Sequence, residues 1–397
     1  MLSEKMVQLG TNRSVIRDLF EYGNKRKAEI GAENVFDFSI GNPSVPAPEC
    51  VKEAAIDLLT NGDPVALHGY TSAQGDAALR EKLASYVNEQ HGTNLTADNF
   101  YVTVGAAASL TISLKALAEP DDEFITFAPF FPEYHPYVDL TGAVLKVVPP
   151  ETKTFQINFT AFEEMLTPKT MAVLINTPNN PSGVVYSDET LKQLAEIMTK
   201  KSEEYGHDIF LISDEPYREI VFKGVNAPFV SAFYDNTIMC YSFSKSLSLP
   251  GERIGYVAVN PACKEAETLI AMCAQISRGI GHNCPPSIIQ LAVAQVLDKT
   301  ADLSVYEVNR NLLYNELIDL GYTCVKPGGT FYIFPKAMEE DAREFCKKAL
   351  KYDLILVPGD TFGAPGYFRM AYCVDTEKVK RSLTALRQFT QETYPNR

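Results

Sequence analysis

Between residues 100 and 260 the chain repeats one pattern, and that pattern restricts its fold more than any other feature. Short apolar runs alternate with helical stretches: YVTV then ASLTISLKALA, EFITFA, AVLKVV, MAVLIN then SDETLKQLAEIMTKKSEEYG, DIFLISD, TIMCYSFS and RIGYVAV. Such alternation predicts βα units and a largely parallel sheet covered on both faces. Each run ends in a loop dense in polar or special residues: VGAAAS, APFFPEY, NTPNNPSG, SDEPYRE and SFSKS. Ligands of open α/β sheets bind outside the carboxyl ends of the strands, so these five loops are expected to converge on one site.

The flanks have a different texture. Residues 13–31 read as a helix with Val15, Ile16, Leu19 and Phe20 on its apolar side and Gly31 as its stop. IGNPSVPAPE reads as a loop, and helical patterns follow at 49–60 and 75–91. Beyond 285 a helical pattern runs from PPSIIQLAVAQVL through VNRNLLYNELIDLG. Strand signals in TFYIFP, LILVPG and YFRMAYC and helices at 338–351 and 375–391 complete the chain. A length of 397 residues exceeds what one core normally serves. The expected division is a large α/β domain over 46–285 and a smaller α+β domain built from 1–45 and 286–397.

Composition narrows the partners. The formal net charge is −14, which argues against nucleic acid. The eight cysteines form no C-x-x-C pair and the five histidines are scattered, so neither a zinc site nor a disulfide framework is expected. A reducing compartment fits that usage better than an oxidising one. The first residues show no apolar signal-peptide core and no run reaches bilayer-spanning length, so no membrane is expected and a cytoplasmic location follows by default.

The strand-end loops carry the chemistry. Asp214 closes the apolar run DIFLISD, where a carboxylate needs a partner: a helix cap or turn on one reading, a buried cation such as a protonated ring nitrogen on another. Gly105 and the alanines after it, Ala106 and Ala107, open a helix whose first N–H groups form a generic anion cradle. Neither a Walker loop nor a G-x-G-x-x-G fingerprint follows the first strand. Lys245 stands among small and apolar residues, and Arg253 follows eight positions later behind a Pro-Gly turn. Desolvation and a neighbouring guanidinium both depress a lysine's pKa, as imine-forming lysines require. A phosphate lysine or a surface lysine are the other readings.

Together the segments S-x-S-K-x-x-x-x-P-G-x-R-I-G-Y, S-D-E-x-Y and N-x-P-x-N-P-[ST]-G resemble the class I/II aminotransferases, pyridoxal-phosphate enzymes of fold type I. The resemblance extends from IGNPSVPAP to YFRMAYC. It implies a mostly parallel, seven-stranded sheet covered by helices in the large domain, pyridoxal 5'-phosphate as cofactor, and an amino acid and a 2-oxo acid as substrates. Lys245 matches the lysine that holds the cofactor covalently and shuttles the substrate proton. Asp214 matches the carboxylate that keeps the pyridine nitrogen protonated. Tyr217 and Asn180 match the donors to the phenolic oxygen, and Phe131 the aromatic stacked on the ring. Arg253, Ser242 and the backbone at Gly105, Ala106 and Ala107 match the phosphate site. Arg369 matches the clamp for the substrate α-carboxylate, with Gly41 and Asn180 in the same pocket. Tyr70 matches a tyrosine that reaches the phosphate of a neighbouring subunit, which implies a homodimer with shared sites.

Two departures bear on the substrate. The phosphate loop is all alanine at 106–108, so Ala107 cannot act as the lysine that reaches a second carboxylate in some aspartate-specific members. Arg278, in SRGIGHNCPPS, is a candidate for the arginine that other members supply from the neighbouring subunit, in the loop before a Pro-Pro pair, to meet the substrate side chain; an exposed or interface arginine is the other reading. The resemblance implies transfer between an L-amino acid, aspartate or glutamate first, and a 2-oxo acid such as 2-oxoglutarate. Aromatic or broad-range donors come next. A C–S β-lyase on the same fold, and a non-enzymatic regulator, are the alternatives of different class.

Overall fold

The structure, a computed structural model, describes residues 2–11 and 14–395. Arg13, the expected first residue of the leading helix, lies outside the described residues. The first half of the chain runs α1 (Glu4–Thr11), α2 (Val15–Ile30), β1 (Phe36–Asp37), α3 (Glu49–Asn61), α4 (Pro64–His68), α5 (Ala77–His91), β2 (Phe100–Thr103), α6 (Ala106–Leu117), β3 (Glu123–Phe127), α7 (Tyr134–Asp139), β4 (Val144–Val148), α8 (Phe159–Met165), β5 (Thr170–Asn176) and α9 (Asp188–Tyr205). The second runs β6 (Phe210–Asp214), β7 (Thr237–Ser242), α10 (Phe243–Ser246), β8 (Gly255–Val259), α11 (Ala266–Gly279), α12 (Ser287–Val293), α13 (Ser304–Asp319), β9 (Tyr332–Ile333), α14 (Ala342–Ala349), β10 (Leu354–Ile355), β11 (Val357–Pro358), β12 (Phe368–Ala371) and α15 (Thr376–Thr393).

Seven strands form the central sheet in the order β2-β8-β7-β6-β5-β3-β4. The pairs from β7 through β4 are parallel. β8 runs antiparallel between β2 and β7. The connection through α10 and the Pro250-Gly251 turn returns the chain directly beside β7, whereas a parallel neighbour needs a crossover of a dozen or more residues. β5 shows why these runs are apolar throughout. Ala172 and Leu174 join Phe124 and Ile212 in the core on one face, while Val173 and Ile175 join Ile125, Leu194 and Met198 on the other. With no face left for water, period-two alternation disappears.

A second core gathers Tyr306, Leu313, Phe331, Phe345, Phe368, Leu386 and Phe389 from the C-terminal part, with Phe38 from the N-terminal part. β1 pairs in parallel with β10, Phe36 opposite Leu354, and two ion pairs hold α2 nearby: Arg26–Asp353 at 2.7 Å and Lys27–Asp37 at 2.6 Å. Gly31, at φ +91°, ends α2 where the chain turns toward this pairing. The helical pattern after 285 breaks between Val293 and Ser304. Its first part, α12, packs on α3, and Ala292, Val293 and Val296 share a core with Val51, Phe100 and Val102. We therefore propose a division between the two units near residue 300, with α12 in the larger one.

Candidate active site

All five strand-end loops reach one cavity of about 370 Å³. Ala106 and Ala107 come from the loop after β2, Phe131 from that after β3, Asn180 from that after β5, Asp214 and Tyr217 from the end of β6, and Ser242 and Lys245 from the end of β7. Arg253, Gly41 and Arg369 join the wall from outside those loops, as do Arg17 of α2 and Tyr332 of β9.

Lys245 projects from α10, a single turn that follows β7 directly. Its Nζ donates to the carbonyl of Gly41 at 2.7 Å and stands 5.4 Å from the centre of the Phe331 ring. Burial lowers its pKa to about 8, and the charges of Arg253 and Arg369 act in the same direction. The neutral amine is thus far more populated near neutral pH than that of an ordinary lysine.

Asp214 is buried at the carboxyl end of β6. Its Oδ2 accepts from Tyr134 Oη at 2.7 Å, and Oδ1 has no partner among the described residues. Burial raises its pKa to about 7, against the Tyr134 hydrogen bond, which lowers it. Asn176 fixes the backbone here, donating to the Asp214 carbonyl at 2.8 Å while its own oxygen accepts from Asn180 N at 2.6 Å.

Arg369, also buried, lies on β12. Nη1 donates to Asn180 Oδ1 at 3.1 Å and Nη2 to the Ser39 carbonyl, but Nε has no partner among the described residues. The guanidinium carbon stands 4.7 Å from the centre of the Tyr332 ring and 4.9 Å from that of Phe362. Tyr332 Oη in turn is 3.2 Å from Tyr217 Oη. A Cβ on Gly41 would fall 1.8 Å from Tyr332 Oη, so a side chain there would displace that ring.

Elsewhere on the wall, α6 is capped by Gly105, with φ +88°, and its first N–H groups have no carbonyl within the helix to bond. A Cβ on Gly105 would lie 2.7 Å from Arg253 Nη2. Arg253 adopts φ +52°, which few non-glycine residues do, and its Nη1 donates to the Pro250 carbonyl at 2.9 Å. Helix start and guanidinium together form a positive corner suited to a dianion.

Comparison with known proteins settles the family. Residues 33–386 match the model of aminotransferase class I and II. This chain belongs to that family. It is an aminotransferase, and therefore an enzyme that moves amino groups. It is 32% identical over 395 residues to an aspartate aminotransferase of Thermotoga maritima, covering 97% of this chain and 99% of the relative. It is 30% identical over 398 residues to aromatic-amino-acid aminotransferase 2 of Thermococcus litoralis, covering 96% of each. Among solved structures, an amino transferase from Eubacterium rectale is 51% identical, with a TM-score of 0.96 over 99% of both chains.

Three of the aminotransferase's expected site residues stay off the cavity wall of this single chain: Gly105, which caps α6 behind Ala106, Tyr70 and Arg278. Tyr70 is fully exposed in the loop after α4. Arg278 is exposed on the last turn of α11 and is not part of the cavity wall. Conversely, Tyr134, Asn176, Tyr332, Ser244 and Arg17 were not among the residues expected at the site. Tyr134 stands in the PFFPEY motif, but its contact with Asp214 spans 80 positions. Tyr332 follows Phe331 in an apolar run that reads simply as core. Among the described residues, no helix is long and apolar enough to cross a membrane.

Proposed function

We propose that this aminotransferase uses pyridoxal 5'-phosphate to move an amino group between an L-amino acid, aspartate or glutamate first, and a 2-oxo acid such as 2-oxoglutarate. One observation carries the cofactor reading. Two residues of the cavity wall carry buried polar atoms of opposite demand that have no partner among the described residues, Asp214 Oδ1 and Arg369 Nε, with the amine of Lys245 on the same wall. A lone buried carboxylate oxygen calls for a cationic N–H, and a lone guanidinium N–H calls for an anion.

When bound, pyridoxal phosphate supplies a carbonyl carbon that takes up amino groups and a protonated ring that withdraws electrons from the substrate Cα. Lys245 is the residue that would hold the cofactor covalently, and its Nζ would carry the proton to and from the substrate Cα. Asp214, steadied by Tyr134, keeps the ring nitrogen protonated. Phe131 offers a ring face for stacking. Ser242, Arg253 and the N–H groups of Ala106 and Ala107 take the phosphate. Arg369 takes the substrate α-carboxylate beside Gly41.

Asn180 has two ends and two tasks. Its Oδ1 accepts from Arg369, which leaves Nδ2 to donate toward the phenolic oxygen of the cofactor. Tyr217 donates to the same oxygen. We further propose a homodimer in which Tyr70 completes the phosphate site of the neighbouring subunit, and a cytoplasmic role in amino acid metabolism.

The test is the visible spectrum of the purified holoenzyme, recorded before and after single L-amino acids are added without any 2-oxo acid. Transamination moves the absorption from the visible to the near ultraviolet in one half-reaction, and added 2-oxoglutarate restores it. Recovery of the original band with accumulating pyruvate, and no acceptor present, would overturn the reading in favour of a C–S lyase.

A further inference from the structure

Three guanidinium groups face the cavity: Arg253, Arg369 and Arg17. On the reading above, on which this inference rests, Arg253 is committed to the cofactor phosphate and Arg369 to the substrate α-carboxylate. Arg17 has no such task. It stands in the first turn of α2, where a cation adds to the positive end of the helix instead of offsetting it. Arg26 and Lys27, further along α2, each find a carboxylate. Arg17 makes no ion pair or hydrogen bond with any described residue. Glu133 lines the same cavity and is not paired with it.

The surroundings sharpen the point. Ile16, Ile40, Leu110 and Phe131 share the cavity wall with Arg17. These apolar groups offer an arriving anion nothing to bond, which leaves the Arg17 guanidinium as the cation on this part of the wall that the cofactor and the α-carboxylate do not claim. Ala107, on the same wall, carries no charge. Arg278, the sequence candidate for side-chain recognition, lies off this chain's cavity wall and could reach a site only from a neighbouring subunit.

We propose that Arg17 binds the side-chain carboxylate of a dicarboxylic substrate while Arg369 holds its α-carboxylate. The planar guanidinium can take that group through two parallel hydrogen bonds, which a neutral side chain cannot offer. The substrate class is then the four- and five-carbon dicarboxylic amino acids and their 2-oxo acids. Discrimination against alanine-like substrates comes from α2, an element outside the strand-end loops.

The test compares holoenzyme carrying Arg17→Met, which keeps an unbranched apolar stem, with Arg17→Lys and the unsubstituted enzyme. KM and kcat are measured for L-aspartate and L-alanine. Succinate affinity is read separately from its perturbation of the visible band, without turnover. For Arg17→Met the aspartate KM rises by about 30- to 100-fold and succinate binding weakens in step, while alanine constants stay within about twofold; Arg17→Lys recovers part of the loss. Arg17 is exposed, so thermal midpoints stay together. An unchanged aspartate-to-alanine ratio overturns the proposal, as does an equal loss on both substrates. An unsubstituted enzyme that prefers alanine or aromatic donors overturns it too. If no donor is transaminated at all, the functional reading falls and takes this inference with it. Transamination without altered discrimination removes the Arg17 assignment alone.

Discussion

A lysine among apolar neighbours changes its chemistry before any ligand arrives. Burial brings Lys245 from the ordinary 10.5 to about 8. Between those two values the folded chain binds fewer protons at this site than the unfolded one, so the stability contributed by this group rises with pH across that window and is lost as pH falls toward 8. On the proposed assignment of Lys245 the same shift would govern capture of pyridoxal phosphate, because only the neutral amine attacks a carbonyl. Apoprotein mixed with pyridoxal phosphate should develop its visible band at a rate that rises about tenfold per pH unit and levels off near pH 8 to 9. A rate still climbing tenfold per unit beyond pH 10 would mean that Lys245 is not desolvated. At this scale the sequence was largely legible. Lys245 and Arg253 sit eight positions apart on one connection, so short-range spacing carries their relation. Tyr134 and Asp214 meet across 80 positions, and no local pattern reports such a contact.

Elements decide what spacing cannot. The loop carrying Gly41, strand β9 carrying Tyr332 and strand β12 carrying Arg369 come from three parts of the chain, and their close approach exists only in the fold. β9 is two residues long, and its apolar flanks read as core, so Tyr332 had no distinguishing signal. Its hydroxyl nevertheless touches Tyr217 and its ring covers Arg369. Gly41→Ala tests this arrangement. The new Cβ would fall 1.8 Å from Tyr332 Oη and 2.7 Å from Cζ, so the ring that covers Arg369 must move. The expected result is a loss of ~1–3 kcal/mol in stability, as for other overpacked sites, with KM for every 2-oxo acid raised on the order of 10-fold. Tyr332→Phe in the same background removes the atom in the hardest clash and should recover part of both losses. Wild-type constants in Gly41→Ala would show that Tyr332 yields freely and does not order the clamp. The βα rhythm made the sheet readable, since strands buried on both faces announce themselves as unbroken apolar runs. The fate of α12 was not readable, because an apolar helix face does not say which core it joins.

At the scale of the whole molecule the proposed site is incomplete in one chain. Tyr70 projects fully into solvent, and Ile56, Leu59 and Val65 on α3 and α4, which precede it, are exposed large apolar side chains. Exposed apolar groups gathered in one region mark an interaction surface. A second copy of the chain is the occupant the family resemblance implies, and a two-fold interface would place each Tyr70 at the partner's phosphate corner. Complementation decides the matter without a structure of the dimer. Lys245→Ala removes the amine from a subunit's own site, and Tyr70→Ala removes the tyrosine that the subunit lends. Each homodimer then carries the same lesion in both sites. A mixed dimer carries both lesions in one site and neither in the other. Random reassembly makes half the dimers mixed, and half their sites are intact, so activity should return to about a quarter of the wild-type value. If each site were built within one chain, co-folding the two variants would give only the mean of their separate activities. That outcome would remove both the shared site and the role of Tyr70 in it, while leaving the assignments of Lys245, Asp214 and Arg369 untouched.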